Sequence, residues 1–104
     1  MDYEVVITSK AQTYFEGFLS YLAVYLSNPY AAKRLLDDFS LTKEALSISA
    51  GSLALCENPK LSALGYRKIR FRHHRLSMLY RLLKNTAVVD AIFHDLQDYE
   101  NKIN

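Results

Sequence analysis

"YRKIRFRHHRLSMLYRLL", residues 66–83, decides how this chain folds. Before the two histidines, Ile69 and Phe71 alternate with Lys68, Arg70 and Arg72, the period of a strand with one dry face. After them a second strand runs from Arg75 to Leu83. A two-residue loop at His73–His74 sets Arg72 opposite Arg75, Arg70 opposite Ser77, Lys68 opposite Leu79 and Tyr66 opposite Arg81. A further loop at Lys84–Asn85, where Asn85 tolerates the positive φ that such turns need, leads into a strand over Thr86–Phe93. That pairing sets Leu83 opposite Thr86, Arg81 opposite Val88, Leu79 opposite Asp90, Ser77 opposite Ile92 and Arg75 opposite His94.

One face of the sheet then collects Ile69, Phe71, Leu76, Met78, Tyr80, Leu82, Ala87, Val89, Ala91 and Phe93, with only Arg67 out of place. The other collects Tyr66, Lys68, Arg70, Arg72, Arg75, Arg81, Asp90 and His94. A slip of one residue would bury several arginines, so the charges themselves fix the register.

Working outward, "YEVVIT" at Tyr3–Thr8 is a β-branched run that reads as a strand. "SKAQ" follows as a capping box, with Ser9 on the first amides and Gln12 reaching back. Apolar residues from Ala11 to Leu26 recur at helical spacing. Asn28–Pro29 ends this helix and starts the next, Asn28 as cap and Pro29 at the first helical position. The pattern predicts helices over 9–26 and 29–50, joined as an antiparallel hairpin. Residues 51–65 read as an irregular connection with one helical turn, and "HDLQDYENKIN" as a short tail. The expected fold is a single α+β domain over 1–104: strand, helix, helix, then three antiparallel strands, with the helix hairpin on one face. Ile69, Met78, Tyr80, Val89 and Phe93 should pack against Phe15, Phe18, Leu22, Leu36 and Phe39.

Composition agrees with a packed globule. Half of the 104 residues are hydrophobic, with three Gly and two Pro. The lone Cys56 excludes an internal disulfide, and no Cys/His cluster suggests a metal. No apolar run approaches the ~20 residues of a membrane span. "MDYEVVITSK" lacks a signal-peptide pattern, so a cytoplasmic location is the expectation.

The net charge of +2 conceals an asymmetry. Residues 1–57 carry four basic and seven acidic side chains, residues 58–89 eight basic and none acidic, and residues 90–104 one basic and four acidic. Cations gathered on one face repel each other and add little to folding, so an anionic ligand or an acidic partner explains them better.

The chain resembles the RelE/ParE superfamily of bacterial toxins, the toxin halves of type II toxin–antitoxin modules. The likeness rests on the element order together with "NPYAAKRLL" (28–36), "LCENP" (55–59), "GYRKIR" (65–70), "LYRLL" (79–83) and "AIFHDLQDYE" (91–100). It implies a small RelE/ParE-like fold and a cognate acidic antitoxin. It also implies one of two activities. RelE-like members cleave mRNA in the ribosomal A site without metal or cofactor; ParE-like members poison DNA gyrase. A non-catalytic, antitoxin-binding homologue is the third possibility. On the ribonuclease reading, Arg81 and Arg70 would hold the phosphate, His94 would move the proton, and Tyr99 would assist. Lys60, Tyr66, Lys68, Arg72 and Arg75 would line the nucleic-acid surface. His73 and His74 are expected in a turn with no chemical role.

Overall fold

The computed structural model describes residues 2–97. Strand β1 (Glu4–Ile7) leads into helix α1 (Ser9–Ser20), which continues as a π-helical stretch over Tyr21–Tyr25. Helix α2 (Pro29–Ser49) returns along it, and the short helix α3 (Pro59–Ala63) sits in the following connection. Strands β2 (Arg67–Arg70), β3 (Leu76–Leu83) and β4 (Thr86–His94) complete the chain, followed by a 3₁₀ turn at Asp95–Gln97. The sheet order is β1-β4-β3-β2, with β1 parallel to β4 and the other pairs antiparallel. The expected α+β architecture is the one observed. None of the described helices is long and apolar enough to cross a membrane.

The boundaries follow local chemistry. Thr8, not Ser9, caps α1: its Oγ1 accepts the Ala11 N–H at 3.2 Å, while Ser9 is already helical. Because β1 ends at Ile7, Thr8 is the residue left extended. Asn28 caps α2 as expected, accepting the Ala31 N–H at 3.0 Å with Pro29 just inside the helix. Asn58–Pro59 repeats the device at α3.

The pairing of β2 with β3 matches the predicted register, Arg70 with Ser77 and Lys68 with Leu79. The turn between them is longer than two residues, because regular pairing stops at Arg70. In the β3–β4 turn the positive φ falls on Lys84, at 55°, and not on Asn85.

The larger departure is in β4. Arg81 pairs with Val88 and Tyr80 with Val89, as expected, but Leu79 then pairs with Ala91. Asp90 is the extra residue of a β-bulge, and everything after it changes face. His94 therefore stands across from Leu76, not Arg75, and Ser77 across from Phe93, not Ile92.

Two apolar clusters result. The main one lies under the helices: Phe15 and Phe39 stack at 4.1 Å between centroids, with Phe71, Met78, Tyr80, Val89 and Ile92 beneath them. Leu35, not Leu36, is the α2 leucine in this core. Arg67, the misfit of this face, donates to the Leu53 carbonyl. A second cluster on the opposite face joins Leu79, Ala91 and Phe93 to Cys56 and Leu61, with Tyr66 and Tyr14 packed against it. The face expected to be basic is thus partly a second core, roofed by α3 and its flanks.

Candidate functional sites on the two sheet faces

On the roofed face, Asp90 gathers the polar side chains. Arg81 Nε donates to Asp90 Oδ2 at 2.8 Å, and the Tyr66 hydroxyl donates to the same oxygen at 2.8 Å. Regular pairing would have set Asp90 opposite Leu79; the bulge takes it out of the ladder, and its carboxylate bonds Arg81 and Tyr66 instead. Burial, and then the bond to Asp90, push the Tyr66 phenol above its ordinary range. The bond and charge of Asp90 likewise raise the Arg81 guanidinium. Arg70 is also occupied, pairing with Asp95 at 2.6 Å. The block that has no acid of its own thus draws two carboxylates from the chain beyond it. Lys60, Lys68, Arg72 and Arg75 are exposed, and Arg75 lines a cavity on the helix side of the sheet. Tyr99 lies outside the described residues.

On the helix side a second constellation forms, built on a residue that sequence reading passed over. Asp38 lies on the inward stripe of α2 with Leu35, Phe39, Thr42 and Leu46, and is 1% exposed. Its Oδ1 accepts the Arg72 N–H at 3.1 Å, and its Oδ2 the His73 N–H at 2.9 Å. The same Oδ2 lies 2.7 Å from His74 Nδ1. Burial is the largest single influence and acts to raise the Asp38 pKa. The bonds from His74 and the two backbone amides together outweigh it and hold the carboxyl below its ordinary value. The His73–His74 turn is therefore pinned to α2. The signal in the sequence was a carboxylate at a core position of an otherwise apolar stripe, and a buried charge needs partners.

His94 joins this second region. It lines a cavity of about 220 Å³ together with His74 and Arg75 and with Phe18, Leu22 and Leu35 of the helices. The Asp95 N–H donates to the Arg75 carbonyl at 3.0 Å, so the end of β4 stays beside Arg75 despite the bulge. Of the four residues expected to act together, the structure leaves Arg81 on the roofed face, Arg70 with Asp95, and His94 on the helix side.

No protein-family model matches the chain. No curated protein matches it either. Solved structures do. One chain of the chromosomal ParDE TA system from P. aeruginosa superimposes with a TM-score of 0.71 at 19% identity, over 88% of this chain and 95% of that one. One chain of the toxin–antitoxin complex RelBE2 from Mycobacterium tuberculosis superimposes with a TM-score of 0.58 at 16% identity, over 90% of this chain and 99% of that one. The resemblance read from the sequence holds at the level of the fold, which is RelE/ParE-like.

Proposed function

We propose that this protein is the growth-inhibiting toxin of a toxin–antitoxin pair, held inactive by an acidic antitoxin, and that it acts by metal-free cleavage of mRNA on the ribosome. The single observation that carries the toxin reading is the fold shared with chains of the ParDE and RelBE2 systems over nearly their whole length. The charge distribution supports the partner. Lys68 and Arg72 are exposed on or beside β2, the outer strand of the sheet, and Arg75 is exposed at the end of the same turn. An acidic segment that folds on binding would meet them there. Arg70 and Arg81 already have carboxylate partners, so an antitoxin using them must displace Asp95 or Asp90.

Cleavage through the 2′-hydroxyl needs a base, an acid and a cation for the phosphate. His94 at the end of β4 is suited to move a proton, and the exposed Lys68, Arg72 and Arg75 to meet phosphate. A second reading, a gyrase poison without nuclease chemistry, is favoured by the pairing of Arg81 with Asp90, which withdraws the guanidinium first assigned to the phosphate. Induction followed by pulse labelling separates the two. Translation should stop before DNA synthesis, and messages should be cut within ribosome-bound codons. Arrest of DNA synthesis first, with intact messages and gyrase trapped on cut DNA, would establish the second reading. Coexpression of an antitoxin should restore growth in either case.

A further inference from the structure

Two arginines of the roofed sheet face are already answered from within the chain. Lys68 and Arg70 of β2 stand opposite Leu79 and Ser77 of β3, so they share a face with those residues and, two positions further along β3, with Arg81. Arg81 Nε donates to Asp90 Oδ2 at 2.8 Å, and Arg70 Nη2 lies 2.6 Å from Asp95 Oδ2. Neither carboxylate comes from a regular ladder position. Asp90 is the extra residue of the bulge, and Asp95 opens the 3₁₀ turn after β4, where its N–H donates to the Arg75 carbonyl at 3.0 Å. A bulge re-aims a side chain, and here the re-aimed carboxylate takes both Arg81 and the Tyr66 hydroxyl at 2.8 Å.

These pairs do little as structural ties. Strands β3 and β4 are joined by their backbone ladder on both sides of the bulge, so Arg81–Asp90 connects nothing new. Both pairs are open to water, with side-chain exposures of 60% and 31% for Arg70–Asp95 and 37% and 24% for Arg81–Asp90. An exposed pair favours the closed state by a factor of only roughly 1.4–5. Such a bond occupies a guanidinium yet yields to an anion that other cations also hold, and Lys68 stands exposed beside Arg70 on β2. An acidic peptide would exchange carboxylate for carboxylate. A nucleic-acid backbone brings phosphates, whose oxygens a guanidinium binds in pairs, and sheds its own condensed counter-ions as it docks. The exchange is therefore driven furthest by a nucleic acid.

We propose that Asp90 and Asp95 are internal counter-ions that mask a nucleic-acid-binding face, each occupying one arginine of the free protein until a backbone phosphate displaces it. The proposal rests on nucleic acid being the ligand, as in the ribonuclease reading, but not on cleavage. The face then binds a polyanion more weakly, and with a shallower salt dependence, than its arginines would allow if unmasked. Asp90 is the larger mask, because displacing it frees the Tyr66 hydroxyl together with Arg81. The effect is to keep a protein with a basic face from collecting on every polyanion it meets.

The test is binding of a fluorescein-labelled 2′-O-methyl oligouridylate by the full chain, followed by anisotropy across a salt series. With its 2′-oxygens methylated the probe cannot be cut through them, so binding is read apart from catalysis. Asp90→Asn and Asp95→Asn keep an amide oxygen for the same donors and remove the charge. The control is Asp37→Asn, which removes the same charge from an exposed pair with Lys33 on α2. Each mask variant should bind roughly 1.4–5-fold more tightly than the control, and its log–log salt slope should steepen by about 0.7. Affinities and slopes equal to those of the control would overturn the mask. Weaker binding would make the carboxylates supports of the arginines and overturn it too. If no chain binds the probe at low salt, the face takes no nucleic acid and the proposal falls. Variants that tighten only on oligoglutamate, run in parallel, would assign the face to an acidic peptide instead. A second measurement needs no variant: the Arg81 Hε resonance of wild type should shift as the probe is added, and a fixed resonance at saturation would refute displacement. Messages left whole in the pulse-labelling experiment, with the predicted affinities still found, would sink the ribonuclease reading and leave the mask standing.

Discussion

Asp38 and Asp90 are each the hub of a polar cluster, Asp38 with three partners and Asp90 with two, yet they do opposite work. Asp38 is almost fully buried and binds two backbone amides and an imidazole, joining α2 to a turn 34 or more residues away. Asp90 is half-buried and binds two side chains, Arg81 on the neighbouring strand and Tyr66 just before β2. Without Asp38, two amides lose their acceptor in a place water reaches poorly. Without Asp90, a guanidinium and a phenol turn toward solvent. The difference shows that burial and the kind of partner decide whether a carboxylate holds a fold together or tunes a surface.

Asp38→Ala should break the comparison most sharply. Removing one side of a buried, hydrogen-bonded charge cluster costs about 3–5 kcal/mol, read as a lower urea midpoint at unchanged m value. A loss below about 1 kcal/mol, the range of exposed pairs, would make Asp38 no different from Asp90.

Asp38→Asn sharpens it through pH. The Asp38 carboxyl titrates below its ordinary value of 3.8 in the folded state. The unfolded chain therefore takes up the proton first on acidification. The stabilisation is present above that ordinary value and is lost as pH falls through the lower folded one. Wild type should exceed the variant by about 1–3 kcal/mol at pH 7, and the gap should close below pH 4. A gap of constant size from pH 7 to pH 3 would mean that the charge on Asp38 contributes nothing.

His74→Asn should lose less than about 1 kcal/mol, because the backbone amides keep their acceptor and the amide replaces the ring donor. A loss as large as that of Asp38→Ala would mean that the imidazole, not the turn backbone, carries the cluster. Asp90→Asn should be the mildest, under about 1 kcal/mol. Its clearer effect is on Tyr66, whose phenol should titrate lower than in wild type yet stay raised, since burial is the larger cause. The Tyr66 ring resonances followed through alkaline pH would check this. No change would deny that Asp90 reaches the phenol.

Much of this arrangement was legible in the sequence. The helix hairpin follows from Asn28–Pro29 and the apolar stripes, and the β2–β3 register from alternating arginines that cannot be buried. The bulge was not legible, for a physical reason. Ala91, Ile92 and Phe93 are apolar on both parities, and all three are buried. A pattern that is apolar on both faces carries no information about a one-residue shift. Leu79, set among the charges of the supposedly basic face, was the signal for the second core. The cluster at Asp38 depends on contacts between distant segments, which charge totals along the chain do not record. The same totals presented the block at 58–89 as uncompensated, although Asp90 and Asp95 supply carboxylates from beyond it.

The parallel pairing of β1 with β4 has a consequence in time. Glu4 meets Thr86 across the sheet, so the first strand made finds its partner only after some 80 further residues have been synthesised. The helices can form early from local contacts, whereas closing the sheet must wait for the most distant pairing in the molecule. A nascent chain therefore carries its two helices before it has a finished face to lay them on. The fold cannot be had as a fragment: the core under Phe15 and Phe39 is complete only when Val89 and Ile92 arrive.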